Sequence, residues 1–484
     1  MWFRWAMVLV ITAFAAPVLA GLFFPYAYDD AFISYRITEN LIQTGKPWFD
    51  PSKSVYTSTS LIYPYWNVIW CLIFGKDWTE SMGVVNGFLQ SLALARVFWL
   101  VKIQCKTNRS FFFAVLAILP LALGQTNIAI ANSGLETALY QLVLSCTILG
   151  VSPKFLSWFA GMIRPEGFIA GIAVTLGSVF TNDIRTKSIL LFFSGVFVFL
   201  IWVGLGYLLF DSPFPQSIVA KSNYEPDRIH ELHTGFLHVF LQGYGLYTFL
   251  IGSTWFFFPE IRKQFLVPLL WLGGYSLFFS GIASWWPWYV PPILIPLFYL
   301  SGTSALKWSE YFVARKLPDS YSTYAIGICL SITALEASKS IRRINSQSSA
   351  YSIRLESSKK TGQWLDQNIP QGKTILFEPL GLFGYFGRKT KVIDYPGLAS
   401  REMSDYIKTL PWKIPVQLTD PRTDSAVIGH FQPDYLLLFP SEVQAFNQSA
   451  SLQKHYTKLD SILYYPLDER FKQVIIYKKE FSPN

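Results

Sequence analysis

Residues 3–30 read FRWAMVLVITAFAAPVLAGLFFPYAYDD, an apolar run broken only by Arg4 and closed by two adjacent carboxylates, Asp29 and Asp30. A membrane-crossing helix needs ~20 largely apolar residues, and residues 3 to 24 supply them. A cleaved signal is the rival reading, because Val18-Leu19-Ala20 before Gly21 resembles a cleavage site. Many apolar stretches follow, which favours an uncleaved first span with its Arg4 end in the cytoplasm.

The rest of the chain shares this character. It has 484 residues, of which 51% are hydrophobic, 17% aromatic and 15% charged; soluble domains carry about 25% charged residues. Mean hydropathy is +0.31. The net charge of +9 suits cytoplasmic loops beside anionic lipid and is not read as nucleic-acid binding. Cys71, Cys105, Cys146 and Cys329 lie in or beside apolar stretches at spacings that fit neither zinc nor a disulfide framework, so they read as packing residues.

Candidate spans begin near residues 3, 82, 110, 135, 154, 167, 187, 235, 264, 286 and 320. The apolar run Leu61 to Gly75 is the awkward one. If it crosses, the loop holding Lys102, Lys106 and Arg109 falls outside, against the positive-inside tendency. The run is short and rich in interfacial aromatics, with Tyr63, Tyr65, Trp66 and Trp70. Laying it on the outer face returns the positive loops to the inside. The expectation is a polytopic α-helical membrane protein of about eleven spans, the 154–163 span being uncomfortably short, with amino terminus inside and carboxyl terminus outside. The outer segments are then Tyr28 to Ser60, Gln125 to Glu136, the turn at Arg164-Pro165-Glu166, Asp211 to His233, and Ser284 to Trp288.

After about residue 338 charges return and apolar runs shorten to strand length: Thr374 to Glu378, Lys391 to Tyr395, Asp434 to Phe439 and Gln473 to Tyr477. Helical stretches such as 353–368 and 400–409 lie between them. This alternation predicts an extracytoplasmic α/β domain over 338–484, following a membrane domain over 1–337.

Ionisable groups at membrane depth are functional candidates. Asp29 and Asp30 open a helical pattern over Ala31 to Thr44 and read equally well as a helix start, with Asp29 as its cap. Mutual repulsion would raise one pKa of the pair, which suits a general base. Arg164 and Glu166 mark either a charged turn or a phosphate contact. Glu136 reads as a capping partner of Ser133, and Lys221 as a plausible anion contact. Asp227, His230 and His233 match metal-ligand spacing only loosely. Trp285, Trp286, Trp288 and Tyr289 form either an interfacial belt or a wall for stacking sugar or lipid.

Several segments, taken in order, resemble bacterial GT-C membrane glycosyltransferases, nearest the arabinofuranosyltransferase-like branch. They are Tyr28-Asp-Asp-Ala-Phe-Ile-Ser-Tyr-Arg36, Gly45-Lys-Pro-Trp-Phe-Asp-Pro51, Thr59-Ser-Leu61, Ser133-Gly-Leu-Glu-Thr137, Ile163-Arg-Pro-Glu-Gly167 and Pro213-Phe-Pro-Gln216 with Ala220-Lys221. In the tail, Gly381-Leu-Phe-Gly-Tyr385 and Asp394-Tyr-Pro-Gly-Leu398 are similar to elements of that branch's outer domain. Lys46-Pro47-Trp48 and Gln216 depart from the usual pattern and bear on substrate choice.

The resemblance implies an inverting glycosyltransferase in the cytoplasmic membrane. Its donor would be a polyprenyl-phosphate-linked sugar, and its acceptor a glycan, glycolipid or protein at the outer face. By the same resemblance Asp29 is the expected base, with Asp30 in support. Arg36, Glu136, Arg164, Glu166, Lys221 and Trp288 are the expected substrate-binding residues. No cofactor is expected, and a divalent cation is admissible but not indicated. A transporter or flippase for lipid-linked glycans is the alternative, although no repeated half supports it. A membrane scaffold with an outer binding domain would leave the acid pair and Arg164 without a role.

Overall fold

The computed structural model describes residues 1–150, 154–181, 185–224, 244–280, 287–316, 319–464 and 471–480. Asp227, His230, His233, Trp285 and Trp286 lie outside these residues. The first span is α1, Trp2–Phe23, whose 22 residues reach ~33 Å at 1.5 Å per residue. It packs against α4, Trp78–Lys102. Close approach is built in: a Cβ on Gly21 would sit 2.3 Å from the Gly83 carbonyl oxygen.

Between these two helices lie α2, Asp29–Thr44, and α3, Tyr63–Phe74. Gly75, at φ +61°, ends α3, so the run that the charge pattern set on the outer face is a helix distinct from α4. It buries Tyr63, Pro64 and Asn67 and exposes Ile69, Leu72 and Ile73. A one-sided apolar surface suits a helix lying at a lipid interface. The next helices are α5, Asn108–Ala122; α6, Gln125–Ala131; α7, Thr137–Thr147; α8, Ala160–Ile163; α9, Phe168–Phe180; α10, Arg185–Phe210; and α11, Gln216–Lys221. They are followed by α12 over 244–257, then α13, Arg262–Ser280, and α14, Leu294–Ala314.

Among the described residues three helical stretches are long and apolar enough to cross a membrane: Trp2–Phe23, Tyr63–Lys102 and Lys187–Phe210. Helices α1, α10 and α13 expose Leu22, Phe193, Phe197, Leu200 and Leu277, the surface that lipid would cover. The count of eleven is not established. The expected span at 154–163 is a six-residue 3-10 helix, Lys154–Phe159, followed by the four-residue α8. At 1.5–2 Å per residue it falls short of the ~30 Å hydrocarbon core.

Residues 319–368 form one helix, α15, Asp319–Asn368, of 50 residues. The sequence suggested a span near 320 and a separate helix over 353–368. Instead one rod of ~75 Å runs from one to the other, and the expected boundary at 337/338 falls inside it. The sheet beyond has the strand order β2-β1-β3-β5-β4. Its strands are β1, Thr374–Phe377; β2, Lys391–Asp394; β3, Tyr435–Leu438; β4, Tyr456–Leu463; and β5, Gln473–Lys479. Strands β2, β1 and β3 are parallel, and β5 and β4 add antiparallel.

Side chains alternate between two cores, as the pleat requires. Ile375, Phe377, Leu437 and Ile476 pack with Leu365 of α15 and with Leu380 and Phe383 of α16, Leu380–Phe386. Leu376, Leu436, Leu438 and Ile475 face Met403 and Ile407 of α17, Arg401–Thr409, and Val427 and Ile428 of α18, Pro421–Phe431. The sheet is therefore covered on both faces. The loop after β3 leads into α19, Pro440–Phe446.

Candidate active site at the seam between two domains

The site begins where α1 ends. Tyr28 adopts extended backbone as the N-cap of α2, and Asp29 and Asp30 are its first two residues. The Tyr28 N–H donates to the Ser133 carbonyl at 2.9 Å, which ties the 132–136 loop to the start of α2. Gly134, at φ +72°, lets that loop pass: a Cβ there would lie 2.4 Å from the Tyr35 hydroxyl oxygen and 2.9 Å from Ala31 Cβ. Trp288 is buried edge-on to Tyr28, with ring centroids 5.0 Å apart.

Asp29 does not cap its own helix. Its Oδ2 accepts from the Gly381 N–H at 2.8 Å and its Oδ1 from the Leu382 N–H at 2.9 Å. These are open donors in the first turn of α16. A Cβ on residue 381 would sit 1.9 Å from the Asp29 carbonyl oxygen, so only glycine fits. Seven residues along α2, the Arg36 guanidinium donates to the carbonyls of Gly384 and Gly387 at the other end of α16. It also lies over Phe49, 4.4 Å from the ring centroid. Next, Glu39 binds Tyr385 and Arg388. One face of α2 thus grips α16 with an acid at its N-terminus and a base at its C-terminus, as the peptide dipoles favour. Arg36, expected at substrate, belongs to this grip.

Asp30 is different. It is half-buried, and it has no hydrogen bond to protein among the described residues. Lys221 is the cation within its electrostatic reach. The backbone positions Lys221: the Gln216 N–H donates to Tyr56 O at 2.7 Å, and the Ile414 N–H to Asn223 O at 3.1 Å. Helix α11 is therefore held between the segment that holds Tyr56 and the C-terminal region that holds Ile414. Burial pushes the Asp30 carboxyl above its ordinary value, and Lys221 opposes the rise. Burial also raises Asp29, to about 6; the bond from the Leu382 N–H pulls it down and Asp30 pushes it up. Burial works against the charge of Lys221, yet Tyr289 and Asp30 hold its pKa above the ordinary value.

Arg164 forms a third group. Its Nη1 lies 3.2 Å from Glu136 Oε1 and its Nε 2.5 Å from Glu166 Oε1, with all three side chains buried. The guanidinium lies 5.6 Å from the Tyr289 ring centroid. Burial raises the Glu136 pKa and Arg164 lowers it. Glu136 is thus an ion-pair partner of Arg164, not a capping partner of Ser133. With two carboxylates around it, Arg164 has its charge matched within the protein.

The sequence reading missed Glu378 and Arg354. Glu378 follows β1 and has Asp29 and Asp30 within electrostatic reach. Arg354, on α15, lies within reach of Asp29 and Tyr464. A charged residue at the end of a strand and one on a mostly polar helix carry no local signal. Of the departures from the family pattern, Trp48 donates its indole N–H to Leu209 O at 2.7 Å, and Gln216 is buried at the start of α11. Among the described residues no group of three or more His, Cys, Asp or Glu is placed to hold a metal ion.

Comparison with known proteins follows this geometry. The fold matches ArnT from Cupriavidus metallidurans, solved bound to undecaprenyl phosphate and in the apo state. Each match has a TM-score of 0.56 and 14% identity and covers 98% of both chains. The chain therefore has an ArnT-like fold along its whole length. A family profile described as "Domain of unknown function (DUF8728)" matches residues 341–477. Among curated protein sequences none matches this chain.

Proposed function

We propose that the protein is an inverting, polyprenyl-phosphate-dependent glycosyltransferase of the GT-C type, working at the outer face of the cytoplasmic membrane. The observation that carries this reading is a half-buried carboxylate, Asp30, set opposite Lys221 where the first span ends. The ArnT-like fold supports a lipid-phosphate ligand, because ArnT was solved with undecaprenyl phosphate. The ordered motifs support the arabinofuranosyltransferase-like branch.

Inversion needs one base and one displacement. Asp30 removes the proton from the acceptor hydroxyl as its oxygen attacks the anomeric carbon. The bond from that carbon to the phosphate oxygen breaks, and polyprenyl phosphate leaves with the electron pair. Lys221 steadies the charge growing on phosphate. A phosphate is a good enough leaving group to need no general acid. The resemblance assigned the base to Asp29, but each of its oxygens already accepts a backbone N–H. We therefore assign the base to Asp30 and give Asp29 the support. Arg164, Glu136 and Glu166 form the rigid wall behind them, and Trp288 flanks the pair through Tyr28.

The test is the mass profile of envelope glycans and glycoproteins in a deletion strain. A sugar should be lost, and wild-type protein should restore it. Asp30→Asn should be made and inserted but fail to restore it. An unchanged profile in the deletion strain would sink the proposal. A transporter would instead expose Asp30 to thiol reagents, as Asp30→Cys, from both sides of the membrane.

A further inference from the structure

We propose that the carboxyl ends of β1 and β3, where the strand order reverses, are where the C-terminal domain holds the acceptor glycan, with Glu378 receiving its hydroxyls; this rests on the glycosyltransferase reading.

The topology comes first. From β1 the chain passes through α16 on one face of the sheet to β2. From β2 it passes through α17 and α18 on the other face to β3, on the opposite side of β1. Strand order therefore reverses between β1 and β3. In open sheets with parallel strands, ligands bind in the crevice beyond the carboxyl ends at such a reversal. Here Glu378 follows β1, and Phe439 and Glu442 follow β3. The Glu442 carboxylate is engaged, accepting from the Phe439 N–H at 2.8 Å and the Leu418 N–H at 3.3 Å. The half-buried Glu378 has no hydrogen-bond partner among the described residues.

The second observation is what lies beside these strand ends. The two bonds from Gly381 and Leu382 to Asp29 fix the residues just after Glu378 on the first turn of α2. Asp29, Asp30, Glu442 and the cation Arg354 all fall within electrostatic reach of Glu378, and so does Tyr224. Around Glu378 the carboxyl groups outnumber the one cation, Arg354, which leaves the donor's charged end to Lys221. A neutral polyol is the ligand that carboxylates recognise, because its hydroxyls donate to their oxygens. Binding there would bring that polyol to Asp30, where the proton leaves.

The experiment uses full-length protein in nanodiscs. The acceptor is the envelope fraction of the deletion strain, titrated, and the donor is that strain's lipid extract. Glu378→Gln should raise the half-saturating acceptor at least tenfold and change the maximal rate less than threefold. Its thermal shift with undecaprenyl phosphate should match wild type, which also reports folding. Glu378→Asp should recover part of the acceptor effect. In a transfer-free arm, the glycan fraction should retain wild-type protein and not Glu378→Gln. Unchanged half-saturation and retention would overturn the proposal, as would loss of the undecaprenyl phosphate shift alone. Wild-type protein without transfer would sink the reaction while the retention arm still judges Glu378.

Discussion

Asp29 and Asp30 are neighbours in sequence and separate in environment. Successive residues of a helix point ~100° apart, so the two carboxylates of α2 serve different faces. The Asp29 face, continued by Arg36 and Glu39, meets α16 and binds its backbone at both ends. The Asp30 face lies within electrostatic reach of Lys221. The lesson is that one helix can bind a second helix along one face and leave a carboxylate unbonded on another, with the docking bonds fixing where that carboxylate sits.

The sharpest way to break this comparison is to exchange the two acids. Asp30→Asn is expected to lower transfer by ~10²–10⁴-fold, the usual contribution of a positioned base. Asp29→Asn keeps one acceptor oxygen and is expected to cost roughly tenfold, in line with the loss of one hydrogen bond to a charged group. Hydrogen exchange of full-length protein should separate them further. Amides 381 and 382 should exchange faster in Asp29→Asn and be unchanged in Asp30→Asn. Equal losses of transfer with equal exchange would erase the distinction.

Lys221→Gln probes the second face. It should weaken undecaprenyl phosphate binding by about tenfold, the worth of one charge-assisted contact, as read from the thermal-shift midpoint. Gly381→Ala probes the first. Its methyl group would drive α16 away from Asp29, so the outer domain should lose ~1–3 kcal/mol of stability and amides 380–386 should lose protection.

The smallest expected effect lies far from the pair. Asp424 is fully buried, neither of its oxygens has a hydrogen-bond partner among the described residues, and Glu442 is close by. Burial raises both carboxyls. A raised folded pKa means the native state holds more protons than the unfolded chain. Its contribution is therefore complete below the ordinary carboxylate range and is lost as pH rises through the folded pKa. The C-terminal domain should weaken as pH rises from about 4 to about 8, and Asp424→Asn should flatten that slope by a few degrees of melting temperature. A slope unchanged by the substitution would remove Asp424 from the account.

The sequence was informative wherever a local pattern carries the physics. Apolar length announced the three long apolar stretches but not the number of spans, and four of the five strands appear at their expected places. β4 went unseen because its burial does not alternate: Thr457 to Ser461 are exposed. The Asp pair was legible because charge at the end of a span is costly. Its division of labour was not, since the donors that hold Asp29 come from residues 381 and 382. Arg164 and Glu166 could be seen as a turn, but Glu136, which completes the ion pair, arrives from a different loop.

By itself, then, the sequence determined a helical chain rich in apolar stretches, with strands and helices alternating in its C-terminal part and an acid pair after its first apolar helix. Hydropathy and periodicity are properties of short windows, and a short window is enough to read them. Only the tertiary structure decided that Asp29 and Arg36 grip α16, and that Lys221 and Glu378 come within electrostatic reach of Asp30. A carboxylate takes its role from the donors and charges around it, and folding brings those from hundreds of residues away.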